Sequence, residues 1–102
     1  MSHIVSESEL ETALSGLPGW GVADGRLTKS FRFPSFRDAV AAIVRIGFEV
    51  EDTNHHPELV NVYNSLDVRL CTHDVGDKIT DKDLRLAALI EKAIGEGDQA
   101  GE

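Results

Sequence analysis

Apolar side chains recur every three or four residues in three segments, which predicts three amphipathic helices. The segments are residues 6–17, 35–48 and 80–94. Each begins with a residue whose side chain can accept a hydrogen bond from the free amides of a helix start. The predicted caps are Ser6 with Glu9 or Ser8 with Glu11 in the first helix, Ser35 with Asp38 in the second, and Thr80 with Asp83 in the third.

The second helix has the clearest apolar pattern of the three. Its apolar side chains are predicted to share one face, with Ala41 and Ala42 beside that face, so that close contact with another helix is possible. The predicted face consists of Phe36, Ala39, Val40, Ile43, Val44, Gly47 and Phe48.

Two further segments alternate between apolar and polar side chains, which predicts two β-hairpins over residues 20–33 and 59–72. Asp24-Gly25 is a strong turn signal in the first hairpin. Lys29 interrupts the apolar side there, which suggests a strand end or an edge. In the second hairpin, a two-residue turn that uses Asn64 would place His56 opposite His73.

The resulting order is α-β-β-α-β-β-α in a single domain over residues 1–102, with residues 95–102 as a frayed tail. This order predicts an α+β two-layer sandwich: a four-stranded antiparallel sheet with the helices on one face. Leu66, Val68 and Leu70 are predicted to face the helices. Val60 and Val62 fall on the opposite face, which a homodimer would cover or extend.

Composition excludes several classes of function. The chain has 10 basic and 18 acidic residues and a formal net charge of −8, so binding to nucleic acid or to an anionic membrane is not expected. A single cysteine, Cys71, cannot form an internal disulfide and is predicted to be a small buried hydrophobe. No apolar run is long enough for a bilayer, and the first ten residues do not resemble a signal peptide, so a cytoplasmic location is expected.

Three of the four histidines are candidates for acid–base chemistry. His55-His56-Pro57 forms a stiff corner before a strand, and His73 follows the partner strand, so the predicted hairpin brings the three imidazoles together. A free imidazole titrates near pH ~6.5 and can give or take a proton at neutral pH. The three rings therefore predict a general acid–base site.

A metal site is the main rival, with His55, His56, His73 and Asp74 as potential ligands, but adjacent histidines rarely reach one ion together. The preferred interpretation has no metal. Glu51 and Asp83 could orient the imidazoles, although helix capping is the simpler role for Asp83. Trp20 is more often a core residue than a stacking platform.

The spacing of these residues resembles the pterin-4a-carbinolamine dehydratase family. The resemblance covers residues 6–94, nearly the whole chain, and one departure is Leu59, where many members have an aromatic residue. The positions that carry it are Gly19-Trp20, Glu51, His55-His56-Pro57, Asn61-Val62-Tyr63-Asn64, Thr72-His73 and Asp83.

This resemblance implies dehydration of a 4a-hydroxytetrahydropterin released by an aromatic amino acid hydroxylase, with no redox cofactor and no metal. It implies His55, His56 and His73 as catalytic residues: His55 and His73 as proton donors or acceptors, and His56 as a residue that binds and orients the pterin and could share in the proton transfer. Homodimers or homotetramers are expected. Two alternatives stay open: a non-enzymatic dimerisation cofactor of a homeodomain transcription factor, and a role in molybdopterin metabolism. The implied supporting residues are Glu51, Pro57, Thr72, Asp83 and Trp20.

Overall fold

The computed structural model describes residues 3–95 and confirms the predicted order of helices and strands. Two short 3-10 helices, Glu51–Thr53 and His73–Val75, follow α2 and β4. The predicted frayed tail lies outside the described residues, except for Gly95. The helices are α1 (Glu7–Leu14), α2 (Phe36–Val50) and α3 (Asp81–Ile94), and the strands are β1 (Gly21–Ala23), β2 (Arg26–Arg32), β3 (Glu58–Val62) and β4 (Ser65–Leu70).

The four strands form one antiparallel sheet in the order β1-β2-β4-β3. Side chains alternate between the two faces of β4, with every second one fully buried beneath the helices. The α+β two-layer prediction is therefore confirmed. The largest apolar side chains that are fully buried are Leu27, Phe31, Phe33, Ile46, Leu66, Leu70, Ile90 and Ile94.

The helix starts are also those that the sequence predicts. Ser6 and Glu9 form a reciprocal capping box, and Thr80 and Asp83 form a second one at the start of α3. The hydroxyl of Ser35 accepts from the amide of Asp38. Helix α1 ends at Leu14, before the predicted end at position 17. The backbone hydrogen bonds that follow join residues three apart instead of four, which forms tighter turns.

Lys29 does not mark a strand end or an edge, and that prediction is wrong. It lies in the middle of β2, a central strand, and pairs with Val68. Its side chain is only 10% exposed, and its ammonium group donates to Glu91 Oε2 at 2.5 Å and to the carbonyl of Pro18 at 3.0 Å. A half-buried carboxylate partner on α3, Glu91, explains why a lysine can occupy the apolar side of the sheet.

The second hairpin has a two-residue turn, but the turn lies one residue earlier than predicted, at Tyr63-Asn64. Tyr63 adopts the left-handed conformation with φ +53°, and Asn64 instead donates from Nδ2 to the carbonyl of Phe33 at 2.9 Å. Leu59 therefore lies opposite Val68. The predicted pairing of His56 with His73 is wrong, because pairing ends at Glu58 and the register differs by two residues. A two-residue difference leaves each side chain on its predicted face.

The apolar residues of α2 fall on two faces, which corrects the prediction of one. Ala39, Ala42, Ile46 and Val50 are buried against the core. A second set points outward, and we call it the outer stripe: Phe36, Val40, Val44 and Phe48, which are 51%, 37%, 50% and 78% exposed. None of the helices in residues 3–95 is long and apolar enough to cross a membrane.

Candidate active site

A short hydrogen bond joins the histidine loop to helix α3. His55 Nε2 lies 2.6 Å from Asp83 Oδ1, and the two side chains are 14% and 0% exposed. A carboxylate can only accept hydrogen bonds, so Nε2 carries a proton towards Asp83. In the neutral ring, this contact leaves Nδ1 as the basic nitrogen of His55.

The second oxygen of Asp83 is held by two threonines. Asp83 Oδ2 accepts from the amide of Thr80 at 2.9 Å and from the hydroxyl of Thr72 at 2.9 Å. The two threonine hydroxyls are 2.7 Å apart, and both side chains are buried. We call His55, Thr72, Thr80 and Asp83 the Asp83 network. Asp83 thus acts both as a helix cap and as the partner of His55, two roles that the sequence presented as alternatives.

Local turns fix the position of His55. Thr53 Oγ1 lies 2.7 Å from the carbonyl of Val50 and 2.8 Å from that of His55, and it accepts from the His55 amide at 3.2 Å. Asn54 ends the preceding 3-10 helix in the left-handed conformation, with φ +56°. Pro57 then restricts His56 to extended backbone immediately before β3. The loop is therefore held by the chain on both sides of His55.

His73 belongs to a second histidine–carboxylate pair. His73 Nδ1 lies 2.5 Å from Asp77 Oδ1, and the imidazole is 85% exposed. The loop between them is closed by hydrogen bonds from the amide of Thr72 to the carbonyl of Lys78 (2.8 Å) and from the amide of Asp77 to the carbonyl of Thr72 (3.1 Å). Asp74 is the carboxylate near His73 among the sequence-predicted candidates, whereas the carboxylate that contacts the imidazole is that of Asp77. The interval of four residues between His73 and Asp77 was the available signal.

Thr72 connects the two histidine–carboxylate pairs. Its hydroxyl donates to Asp83, the partner of His55, and its backbone leads directly into His73. Since Thr72 is 1% exposed and bonded through both its backbone and its side chain, it cannot shift without disturbing both pairs. Within residues 3–95, Thr72 thus links two of the three predicted catalytic histidines, His55 and His73.

The other predicted site residues are less connected. Within residues 3–95, the His56 imidazole is exposed and has no hydrogen-bond or ion-pair partner. Glu51 is exposed beside Gly47 and Phe48 of α2. Trp20 is 6% exposed in the core and donates from Nε1 to Glu91 Oε2 at 2.8 Å, two turns along α3 from Asp83.

A cleft of about 360 Å³ opens beside His55, a volume within the range of small-molecule sites. Two cationic side chains of α3 contribute to it, whereas His56 and His73 do not line it. The lining residues are Thr53, His55, Lys82, Arg85, Leu86 and Leu89.

Cys71 is half-buried at the other end of the His73 loop, so it is not the fully buried residue that the sequence predicts. Arg26 donates to its thiol, and this hydrogen bond is the main cause that raises the pKa of the Arg26 guanidinium. Cys71 Sγ lies 4.0 Å from Asp77 Oδ1. The thiol therefore belongs to the surroundings of the His73–Asp77 pair.

Comparison with known proteins identifies the family of this chain. The model of the family described as pterin 4 alpha carbinolamine dehydratase matches residues 3–93. A solved structure described as a transcriptional coactivator/pterin dehydratase from Brucella melitensis superimposes with a TM-score of 0.84 at 36% identity. That match covers 91% of this chain and all of the other.

Two curated relatives lead to the same family. A protein from Opitutus terrae named for pterin-4-alpha-carbinolamine dehydratase is 46% identical over 90% of this chain and 95% of its own length. One from Burkholderia lata with the same name is 40% identical over 91% of this chain and 92% of its own. The family model covers nearly all of the described residues and both relatives match over most of their length, so the chain belongs to the pterin-4-alpha-carbinolamine dehydratase family, a family of hydro-lyases.

Proposed function

We propose that this protein dehydrates 4a-hydroxytetrahydropterin to quinonoid dihydropterin and water, by histidine acid–base catalysis. The observation that carries the proposal is the His55–Asp83 hydrogen bond, which ties the histidine loop to Thr72 and so to His73. Membership of the dehydratase family supports the reaction type.

The reaction breaks the bond between C4a and its hydroxyl oxygen. The lone pair of N5 forms the new C4a–N5 double bond as the hydroxyl departs, and N5 then loses its proton. Hydroxide is a poor leaving group, so a general acid protonates the departing oxygen and water leaves. A general base takes the N5 proton, so one proton is given, one is taken, and no electrons enter or leave. Each well-placed proton transfer contributes roughly 10²–10⁴-fold to the rate.

His55 and His73 are the proposed acid and base. Each has one imidazole nitrogen held by a carboxylate, at 2.6 Å for Asp83 and 2.5 Å for Asp77, which leaves the other nitrogen for the substrate. A carboxylate behind an imidazole fixes which ring nitrogen carries the proton and how the ring is oriented. His56 has no protein partner among the described residues and is proposed to bind and orient the pterin.

The proposed setting is tetrahydropterin recycling after an aromatic amino acid hydroxylase reaction, where a reductase would consume the quinonoid product. The test is to add the purified protein to such a hydroxylase in turnover and follow the decay of the 4a-carbinolamine absorbance. Faster decay than the spontaneous rate supports dehydration. A decay rate that does not change with protein concentration contradicts it.

Single histidine variants then test the acid–base roles. His55→Ala and His73→Ala are each expected to lose 10²-fold or more in kcat, on the order of one catalytic proton transfer. His3→Ala is the matched control, since His3 is exposed and paired with Glu9 at 3.0 Å, outside the Asp83 network. Full activity of both variants at saturating substrate would exclude the assignment.

We also propose that the outer stripe of α2 packs against a second copy of this chain. Its four apolar side chains recur every four residues and form a continuous exposed ridge. A ridge of this kind can pack against itself about a two-fold axis. Sedimentation should show that Phe48→Glu dissociates the assembly, whereas Glu49→Gln, a change at the exposed neighbouring position, does not. An unchanged mass for Phe48→Glu would place the contact elsewhere.

The same variant separates catalysis from a non-enzymatic interaction role. The exposed stripe favours the interaction module as the second candidate function, and the Brucella melitensis protein is described as a transcriptional coactivator as well as a pterin dehydratase. If dissociated Phe48→Glu protein retains its dehydration rate, the enzyme does not depend on this contact. If the unmodified protein shows no dehydration and Phe48→Glu dissociates its assembly, interaction is the function that remains.

A further inference from the structure

Three metal-binding side chains of different chemistry meet beside β4: Cys71, His73 and Asp77. One ligand atom of each lies within 4.8 Å of the others. None of them belongs to the Asp83 network. The family resemblance assigns His73 a proton-transfer role, and it assigns nothing to Cys71 or Asp77.

The chain path brings the three groups together. Cys71 and His73 flank Thr72, which pairs with Lys78 in an isolated antiparallel bridge. Gly76 and Asp77 are both in the left-handed conformation, with φ +78° and +61°. These two residues turn the chain sharply, so the carboxylate of Asp77 returns to the thiol and imidazole that precede it.

The donor set suits a borderline-soft divalent cation. A thiolate, a neutral imidazole and a carboxylate are the three ligand types that Zn²⁺ uses in proteins. The thiolate and the carboxylate would together supply two negative charges against the two positive charges of the ion. Hard cations such as Mg²⁺ and Ca²⁺ prefer oxygen ligands and would not select this set.

The distances require only small movements of exposed groups. Tetrahedral Zn²⁺ with bonds of about 2.0–2.3 Å holds its ligand atoms roughly 3.3–3.7 Å apart. Here His73 Nδ1 and Asp77 Oδ1 are 2.5 Å apart, and Cys71 Sγ and Asp77 Oδ1 are 4.0 Å apart. His73 and Asp77 are 85% and 52% exposed, so rotation of their side chains can open the first distance and close the second.

One positive group contacts the cluster and would have to move. The guanidinium of Arg26 is a hydrogen-bond partner of the Cys71 thiol, and Arg26 is half-buried, so metal binding would require it to turn away, towards solvent or Glu58. Asp74 and Asp77 add negative charge on the same loop. The cluster can therefore exchange a hydrogen-bonded guanidinium for a bound cation.

We propose that Cys71, His73 and Asp77 form a Zn²⁺-type site with three protein ligands and an open fourth position, and that metal bound there inhibits the enzyme. The inhibition rests on the proposed function, because an ion on His73 Nδ1 would replace Asp77 and hold the imidazole as a ligand. The binding itself does not depend on that function. The site would act as an inhibitory or sensing site and not as a catalytic metal centre.

Cobalt provides a direct test of binding. Co²⁺ added to the reduced, full-length protein under anaerobic conditions should give a thiolate-to-cobalt charge-transfer band in the near ultraviolet, which saturates at one ion per chain. Cys71→Ser should abolish the band. Asp77→Asn should weaken Co²⁺ binding by at least about tenfold, the cost that even the outer partners of metal ligands carry. Asp74→Asn is the matched control, since it removes the same charge from the same loop and should leave the titration unchanged.

The inhibition arm uses the dehydration assay, with each variant compared with its own metal-free rate. Zn²⁺ should inhibit dehydration by the unmodified protein, and EDTA should restore the rate. The Cys71→Ser protein should resist inhibition by Zn²⁺. A cobalt band with no dehydration activity would refute the proposed function and keep the site. Active protein without a band, or a band that Asp74→Asn weakens as much as Asp77→Asn, would overturn the site. Equal Zn²⁺ inhibition of the Cys71→Ser protein would overturn the link between this site and activity.

Discussion

Asp83 accepts from His55 with one carboxylate oxygen while its other oxygen caps the helix on which it lies. The same side chain therefore couples the stability of the α3 start to the orientation of an imidazole. Because both oxygens are buried and fully used, a change at Asp83 has consequences for folding and for catalysis that can be measured separately.

Asp83→Asn is expected to lower kcat by about 10–100-fold, the usual cost of losing a partner that orients an imidazole. The amide retains one acceptor for the cap but can no longer accept from His55 Nε2 as well. We expect KM to change less than kcat, because the imidazole loses its orientation and not its contact with the substrate. Asp81→Asn, in the same first turn of α3, is the matched control. An unchanged kcat would mean that Asp83 is only a cap.

Thr72→Val is expected to reduce the free energy of unfolding by about 1–3 kcal/mol. It replaces a buried hydroxyl with a methyl group of similar volume, which leaves Asp83 Oδ2 and the Thr80 hydroxyl with one partner fewer. Urea unfolding measures the loss, and activity at saturating substrate should fall with it. Thr28→Val on the open face of the sheet is the control. A stable, fully active Thr72→Val protein would show that the threonine does not support the site.

Glu91→Ala is expected to destabilise the fold by about 1–3 kcal/mol and to alter tryptophan fluorescence. It removes the carboxylate that accepts from both Lys29 and Trp20, and so leaves a largely buried ammonium group without its charge partner. Dehydration per folded molecule should stay constant, since this cluster lies two turns from Asp83. A change in KM for pterin would instead assign Trp20 to the substrate site, as the resemblance implies.

The N-terminal segment is expected to loosen at acid pH. The Ser6 amide lowers the pKa of Glu9, and the His3 amide lowers that of Asp81, below their ordinary values of 4.5 and 3.8. A lowered native pKa contributes stability that is present above the ordinary value and is lost as the pH falls through the native one.

Amide proton shifts of Ser6 and His3, followed by NMR, should therefore report inflections below 4.5 and 3.8 respectively. Glu9→Gln should remove the Ser6 inflection and leave that of His3. Inflections at or above the ordinary values would contradict the predicted effect of these contacts.

Local patterns were sufficient for much of this molecule. The helix starts at Ser6, Ser35 and Thr80 were predictable because a cap depends on residues only a few positions apart. The two hairpins and the buried face of β4 follow from period-two alternation, which survives a register change of two residues. The histidine motif and the family could also be recognised from the sequence, because residues of the characteristic types occur at fixed intervals.

The turn residue and the register required the tertiary fold. Asn64 is suited to the left-handed conformation, yet Tyr63 adopts it, because Asn64 is held by hydrogen bonds with Phe33 at the end of β2. Lys29 looked like an edge residue because its partner Glu91 lies 62 positions away. Contacts of this length leave no local signal.

By itself, therefore, the sequence determined the element order, the capped helix starts, the sheet faces and the candidate histidines, all of which depend on short-range spacing. The tertiary structure decided which carboxylate each histidine meets: Asp83 for His55, and Asp77 for His73. It also divided the apolar residues of α2 between a core face and an exposed stripe, because helical spacing alone does not show how wide a face the sheet can cover. Both outcomes depend on how distant elements pack, and that packing is a property of the whole fold.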